Sequence, residues 1–109
     1  MLMESTTYTY FPNLTDLVTE IPKDSIVSRT IYKDEKTKAV LFGFATGQEL
    51  SEHTASTPAV IQILSGECRL ILGEDVMEAK AGAWVYMPAQ MPHSLLARTE
   101  VTMLLLLMH

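Results

Sequence analysis

From Ser25 to its last residues the chain is a succession of short β-forming runs, each closed by a turn signal, and this spacing constrains the fold more than any other feature. Ser25 to Tyr32 carries Ile26, Val27, Thr30, Ile31 and Tyr32 and ends in the polar turn Lys33-Asp34-Glu35-Lys36. Further apolar runs follow over Lys38 to Ala45, Pro58 to Leu64, Cys68 to Leu72, Val76 to Ala79, Ala83 to Met87, His93 to Ala97 and Val101 to Met108, with Gly47, Gly66, Gly73, Gly82, Pro88 and Arg98-Thr99-Glu100 at the breaks. Many short strands with close turn signals and almost no helical periodicity predict a β-sandwich or barrel. Ahead of them, Tyr8-Thr9-Tyr10-Phe11 reads as a strand ended by Pro12, and Asn13 caps a short helix over Leu14 to Glu20 or opens a turn, with Pro22 as the stop.

Several runs are apolar on both faces. Val60-Ile61, Leu64 and Leu104 to Leu107 do not alternate as strands with one wet side do. One face fills the core; the other needs a cover. A homodimer is the expected cover, with segment 1–24 at its interface; burial by the chain's own N-terminal segment is the alternative.

At 109 residues there is room for one core, so a single domain over 1–109 is expected. Eight basic against 13 acidic residues, with no basic cluster, disfavour nucleic acid and anionic membrane surfaces as partners. The apolar end is far shorter than the roughly 20 residues of a membrane helix. Residues 1–11 have neither a basic nor an apolar region, so they do not read as a signal peptide. With the lone Cys68, which permits no intrachain disulfide, this makes a cytoplasmic protein the expectation.

Two histidine-bearing segments remain. The first runs from Gly47 through His53 to Gly66, the second from Gly82 through Pro88 to His93 and Ala97. The first resembles the cupin motif G(x)5HxH(x)3-4E(x)6G, keeping Gly47, His53 and Gly66 but placing Ala55 and Ala59 at the second His and the Glu. The second resembles G(x)5PxG(x)2H(x)3N, keeping Gly82, Pro88 and His93 with Gln90 and Ala97 at the Gly and Asn. The resemblance, with its motifs at 47–66 and 82–97, implies an all-β double-stranded β-helix, a jelly-roll barrel with at most one short N-terminal helix, and a pocket inside it.

In metal-bearing cupins three His and one Glu converge on one ion. Here His53 and His93 alone keep those positions. They are read as ligands of one divalent transition metal (Zn, Fe, Mn, Ni or Cu) or, alternatively, as metal-free residues that bind a small molecule. Gln62, Trp84 and Gln90 are further candidates for the pocket lining, and Glu52 and Cys68 are further possible donors. Strand parity opposes Gln62, which should face away from position 59 unless a bulge intervenes, for example toward a dimer interface. Trp84 and Tyr86 share a face, read as core packing or as a wall for ligand stacking; Cys68 reads as a small buried hydrophobe. Three functions follow: a small-molecule binding barrel, a metal-dependent dioxygenase, isomerase or decarboxylase with a reduced ligand set, or a non-catalytic dimeric scaffold.

Overall fold

Nearly every apolar run becomes a strand. The structure, a computed structural model, describes residues 7–109. Its strands are β1 (Ile26–Lys33), β2 (Thr37–Phe44), β3 (Glu49–His53), β4 (Ala59–Ser65), β5 (Glu67–Leu72), β6 (Asp75–Lys80), β7 (Trp84–Met87), β8 (His93–Ala97) and β9 (Val101–Met108). They form a five-stranded sheet, β1-β2-β9-β4-β7, and a four-stranded sheet, β3-β8-β5-β6. Every pairing is antiparallel. This is the jelly-roll architecture, all-β as expected.

The core lies between the sheets, where alternate residues of facing strands meet. Phe44, Ile61, Ile63, Leu70, Met87, Leu95, Val101 and Met103 are almost wholly buried in one cluster. Cys68 belongs to it with no exposed surface. Burial, with the nearby Glu78 charge adding to it, pushes the Cys68 thiol up to about 11.

Turns are built from the residues that mark them in the sequence. Between β1 and β2, Asp34 Oδ1 accepts from the amides of Lys36 and Thr37 at 2.8 and 2.7 Å, and its Oδ2 accepts from Tyr32 Oη at 2.7 Å. Those bonds, Tyr32's foremost, hold the Asp34 carboxyl below its ordinary range. Between β4 and β5, Gly66 adopts φ 90°, and a Cβ there would fall on the Glu100 carbonyl.

Three local expectations change. The helix read over Leu14 to Glu20 is one 3-10 turn, Leu14–Leu17, with Asn13 Oδ1 accepting from Thr15 N at 3.2 Å. It stops at Val18, whose backbone leaves helical geometry (φ −130°, ψ 86°); Val18 and Ile21 pack against Gly43 of β2, where a side chain on the glycine would collide with them. Tyr8 to Phe11 is not a strand: residues 7–12 make no backbone hydrogen bond to any described residue. β3 was not foreseen, since Glu49-Leu50-Ser51-Glu52-His53 offers one apolar residue and no alternation of β-formers. The part of the N-terminal reading that falls on residues 1–6 lies outside the described residues. No helix among the described residues is long and apolar enough to cross a membrane.

Two outcomes test this packing. Gly66→Ala should cost about 2–4 kcal/mol, from left-handed backbone strain plus the collision at Glu100; chemical denaturation reads it, and a change within experimental error would show that the turn is not held as described. Native Cys68 should resist iodoacetamide at mildly alkaline pH and react at once in denaturant, and equal rates in the two conditions would contradict its burial.

Candidate functional site

The two histidines meet because one residue of β3 is inserted out of register. β3 pairs with β8 as Glu49 opposite Leu96 and Leu50 opposite Leu95, and an unbroken ladder would bring Glu52 opposite His93. The register shifts between Leu50 and His53, and His53 takes that place. A bulge of one residue turns the following side chain to the other face. Leu95 and Ala97 of β8 belong to the core, so His93 shares their inward face by alternation. The bulge thus carries His53 onto the core-facing side at the barrel's rim.

The imidazole rings stand with centroids 4.1 Å apart and planes inclined by 59°. His53 Nδ1 lies 2.9 Å from the Ser51 carbonyl oxygen, and His93 Nδ1 lies 3.0 Å from that of Met91. A carbonyl oxygen only accepts, so each Nδ1 carries the proton and donates. In the neutral rings both Nε2 atoms then hold a free lone pair. This is the arrangement in which metal-ligating histidines are fixed, the second nitrogen donating to a backbone carbonyl. Both carbonyls sit two residues before their histidine, Ser51 within β3 and Met91 in the turn before β8.

The two rings differ in environment. His93 is buried, opposite Leu72 of β5 on its other flank, whereas His53 is exposed. Burial pulls the His93 pKa below its ordinary 6.5; the bond to Met91 opposes the shift and the neighbouring His53 adds to it. His93 is therefore a neutral imidazole at physiological pH.

Around the pair the loops are clamped. Gln90 N donates to Ala55 O at 2.8 Å, tying the loop after β3 to the loop before β8, and Gly73 N donates to Pro92 O at 2.8 Å. Gln90, at φ 70°, takes the left-handed conformation this close approach requires, and its side chain is exposed. Gln90 thus belongs to the rim through its backbone.

Gln62 and Trp84, expected as pocket lining, are not brought to the histidines. Ala59, Ile61 and Ile63 of β4 face the core, and alternation turns Gln62 outward, as the parity argument anticipated. Trp84 pairs with Gln62 and is 62% exposed. Tyr86, two residues on, is exposed as well, so the Trp84–Tyr86 face is neither core nor a wall of the histidine site. Cys68 lies four register steps from Leu72, which faces His93; at roughly 3.4 Å per residue it is about 13 Å away and cannot share an ion. Glu52 is displaced by the bulge and exposed.

The donor set is therefore two Nε2 atoms. Ala55 and Ala59 offer methyl groups where further ligands would stand, and no group of three or more His, Cys, Asp or Glu able to hold a metal exists among the described residues. Two imidazoles fit an ion held weakly with open positions; they do not fit a closed site of four protein ligands. The signal for the pair was legible in the motif spacing, but the bulge and the Ser51 and Met91 carbonyls, being backbone features, left no side-chain mark.

A family model described as a cupin domain matches residues 40–109. No curated protein matches. Among solved structures, a cupin superfamily protein from Desulfitobacterium hafniense superposes with a TM-score of 0.83 at 18% identity, covering 99% of this chain and 98% of that one. A conserved protein of unknown function from Streptococcus pyogenes reaches 0.79 at 26% identity, covering 96% of each chain. An RmlC-like cupin from Desulfovibrio desulfuricans reaches 0.76 at 26% identity, covering 94% and 97%.

The lowered His93 pKa has a thermodynamic consequence. As pH falls, the unfolded chain, with an ordinary histidine, takes up its proton before the folded one does. The stability is complete above about pH 6.5 and is lost as pH falls through the lower folded-state value. In metal-free protein, the decline of Tm between about pH 7 and pH 5 should be shallower for His93→Gln than for wild type. Identical slopes would mean that His93 is not buried as a neutral ring.

Proposed function

This chain belongs to the cupin family, and from that premise we propose that its barrel rim binds a small molecule at His53 and His93, with a weakly held divalent transition metal ion as a second occupant of the same two nitrogens. The observation that carries the reading is the cross-strand pair itself, two rings at 4.1 Å whose Nδ1 atoms are both committed to backbone carbonyls. Such a pair leaves two Nε2 lone pairs free on neighbouring rings. They accept hydrogen bonds from the hydroxyl or ammonium groups of an organic ligand, or donate to Zn, Fe, Mn, Ni or Cu.

What replaces the missing ligands also speaks for binding. Ala55 and Ala59 leave no carboxylate and no third imidazole, so an ion there keeps most of its coordination for water or a ligand, and its residence is short. The same openness supports a second, catalytic reading as a metal-dependent dioxygenase, isomerase or decarboxylase. Its specific support is that burial keeps the His93 imidazole neutral, the form in which a ring can act as a base. A cytoplasmic location accompanies the proposal, supported by the single reduced and buried thiol.

Thermal denaturation with Zn2+, Ni2+, Mn2+ or Fe2+ tests the binding reading beside a screen of small organic acids and sugars. A ligand at 100 times its Kd should raise stability by about 2.7 kcal/mol, saturably. The stabilisation should disappear in both His53→Ala and His93→Ala. Stabilisation that survives in both variants, or none by any ion or compound, would overturn the proposal. Stabilisation by organic compounds alone would retain the pocket and remove the metal.

A further inference from the structure

Each sheet ends at the histidine rim in one inward-facing row. In the four-stranded sheet the row reads His53, His93, Leu72, Asp75 across β3, β8, β5 and β6. In the five-stranded sheet it reads Lys33, Lys38, Leu107, Ala59, Met87 across β1, β2, β9, β4 and β7. Directly paired residues share a face. Ala59 and Met87 lie in the core, and Leu72 and Leu107 pack against it, so both rows point into the barrel. They stand at the same end, because the loops from His53 to Ala59 and from Met87 to His93 each join one row to the other.

The two rows carry opposite chemistry. His53 and His93 keep free Nε2 lone pairs and Asp75 is a carboxylate, so the first row offers acceptors around the apolar Leu72. The charged residues of the second row are lysines, which only donate. Lys38 is half-buried and pairs with the exposed Lys33. Neither Lys38 nor Asp75 forms an ion pair among the described residues, where Arg98 and Glu78 make the one salt bridge. Asp75 opens β6 just after the turn at Gly73. The Gly73 amide donates to Pro92 O at 2.8 Å, which fastens this turn to the loop that leads into His93. Leu72, Leu107, Ala59 and Met87 make the wall between the charges apolar.

We propose that the ligand of the histidine pair is a short zwitterion, with an ammonium head held by His53, His93 and Asp75 and a carboxylate tail held by Lys38. The proposal rests on the pair being a small-molecule site, and it assigns the class of molecule. An ammonium has three N–H donors and no acceptor, which answers a row of acceptors. A carboxylate answers a lysine with a charge-assisted hydrogen bond. Facing sheets lie roughly 10 Å apart, a gap that the long lysine stem narrows to the reach of a chain of a few carbons. The apolar wall suits such a chain. A ligand with one charge leaves the other row unanswered, and a sugar answers neither charge.

An NMR titration of the full, metal-free chain tests this with 6-aminohexanoate beside two isosteres that each lack one charge, 6-aminohexanamide and N-acetyl-6-aminohexanoate. The zwitterion should bind about five-fold or more tightly than either isostere, the factor that one solvent-exposed ion pair supplies. It should shift resonances of His53, His93, Asp75 and Lys38 together. Asp75→Asn should lower its affinity to that of the acetylated probe, and Lys38→Met to that of the amide. Equal affinity of all three probes at the histidines overturns the zwitterion and leaves the histidine site standing. An affinity for 6-aminohexanoate unchanged in both variants overturns it as well. So do shifts confined to residues away from the histidines, or no shift by any probe at about 10 mM; the thermal screen with ions and sugars then decides separately whether the pair binds anything. The comparison of the three probes on wild type needs no variant, so it stands even where a substitution disturbs folding.

Discussion

The register of β9 is the constraint on which the rest of the molecule depends. Its eight residues pair without a break with Thr37 to Phe44 of β2 on one side, and its other edge takes β4. A slip of one residue would send Val101 and Met103 to the outer face and Leu104 and Leu106 inward, because side-chain direction has a period of two. The run Leu104 to Leu107 is apolar at every position and does not choose its own face. The choice falls to the strands on either side: Ile61 and Ile63 on β4, and Phe44 on β2, are buried in the core and hold β9 in phase. The strand is consequently apolar on both sides, and the outer face of the sheet is left unfinished.

A second, smaller departure from register makes the site. Had β3 run in unbroken alternation beyond Leu50, a carboxylate at position 52 would face His93, and His53 would point away from the core. One inserted residue exchanges them. The bulge sits on an edge strand, where it costs few ladder hydrogen bonds, and it falls beside the functional rim, where bulges commonly re-aim side chains. The opposite bands of the molecule thus differ in chemistry, an imidazole pair at one rim and an uncharged aromatic face on the outer side of the larger sheet.

Most of the fold was legible in the sequence because turn residues and core residues agree on it. The polar turn at Asp34, the positive-φ position at Gly66 and the apolar runs of β1, β2 and β4 to β9 were readable within a residue or two. What was not legible has physical reasons. β3 is a half-polar edge strand whose existence is decided by its partner, β8. The segment Tyr8 to Phe11 has the composition of a strand but joins no sheet edge among the described residues. The helix after Asn13 is capped as its sequence implies, yet it ends after one turn, where Val18 leaves helical geometry and packs with Ile21 on Gly43. Motif spacing singled out His53 and His93, two rings that the fold brings side by side, and parity placed Gln62 outside. Trp84, expected in the core or on a pocket wall, lies exposed across from Gln62, and a tryptophan's sequence neighbours do not tell an exposed face from a buried one.

The central claim is that both rings carry their proton on Nδ1 and present Nε2 to one shared point. Long-range 1H–15N NMR of the histidine side chains in metal-free protein at neutral pH tests it most directly. The account predicts the Nδ1–H tautomer for both His53 and His93, and a joint change of both Nε2 resonances when a binding ion or ligand is added. An Nε2–H tautomer at either ring, or Nε2 resonances that respond to ligand at only one of them, would contradict it.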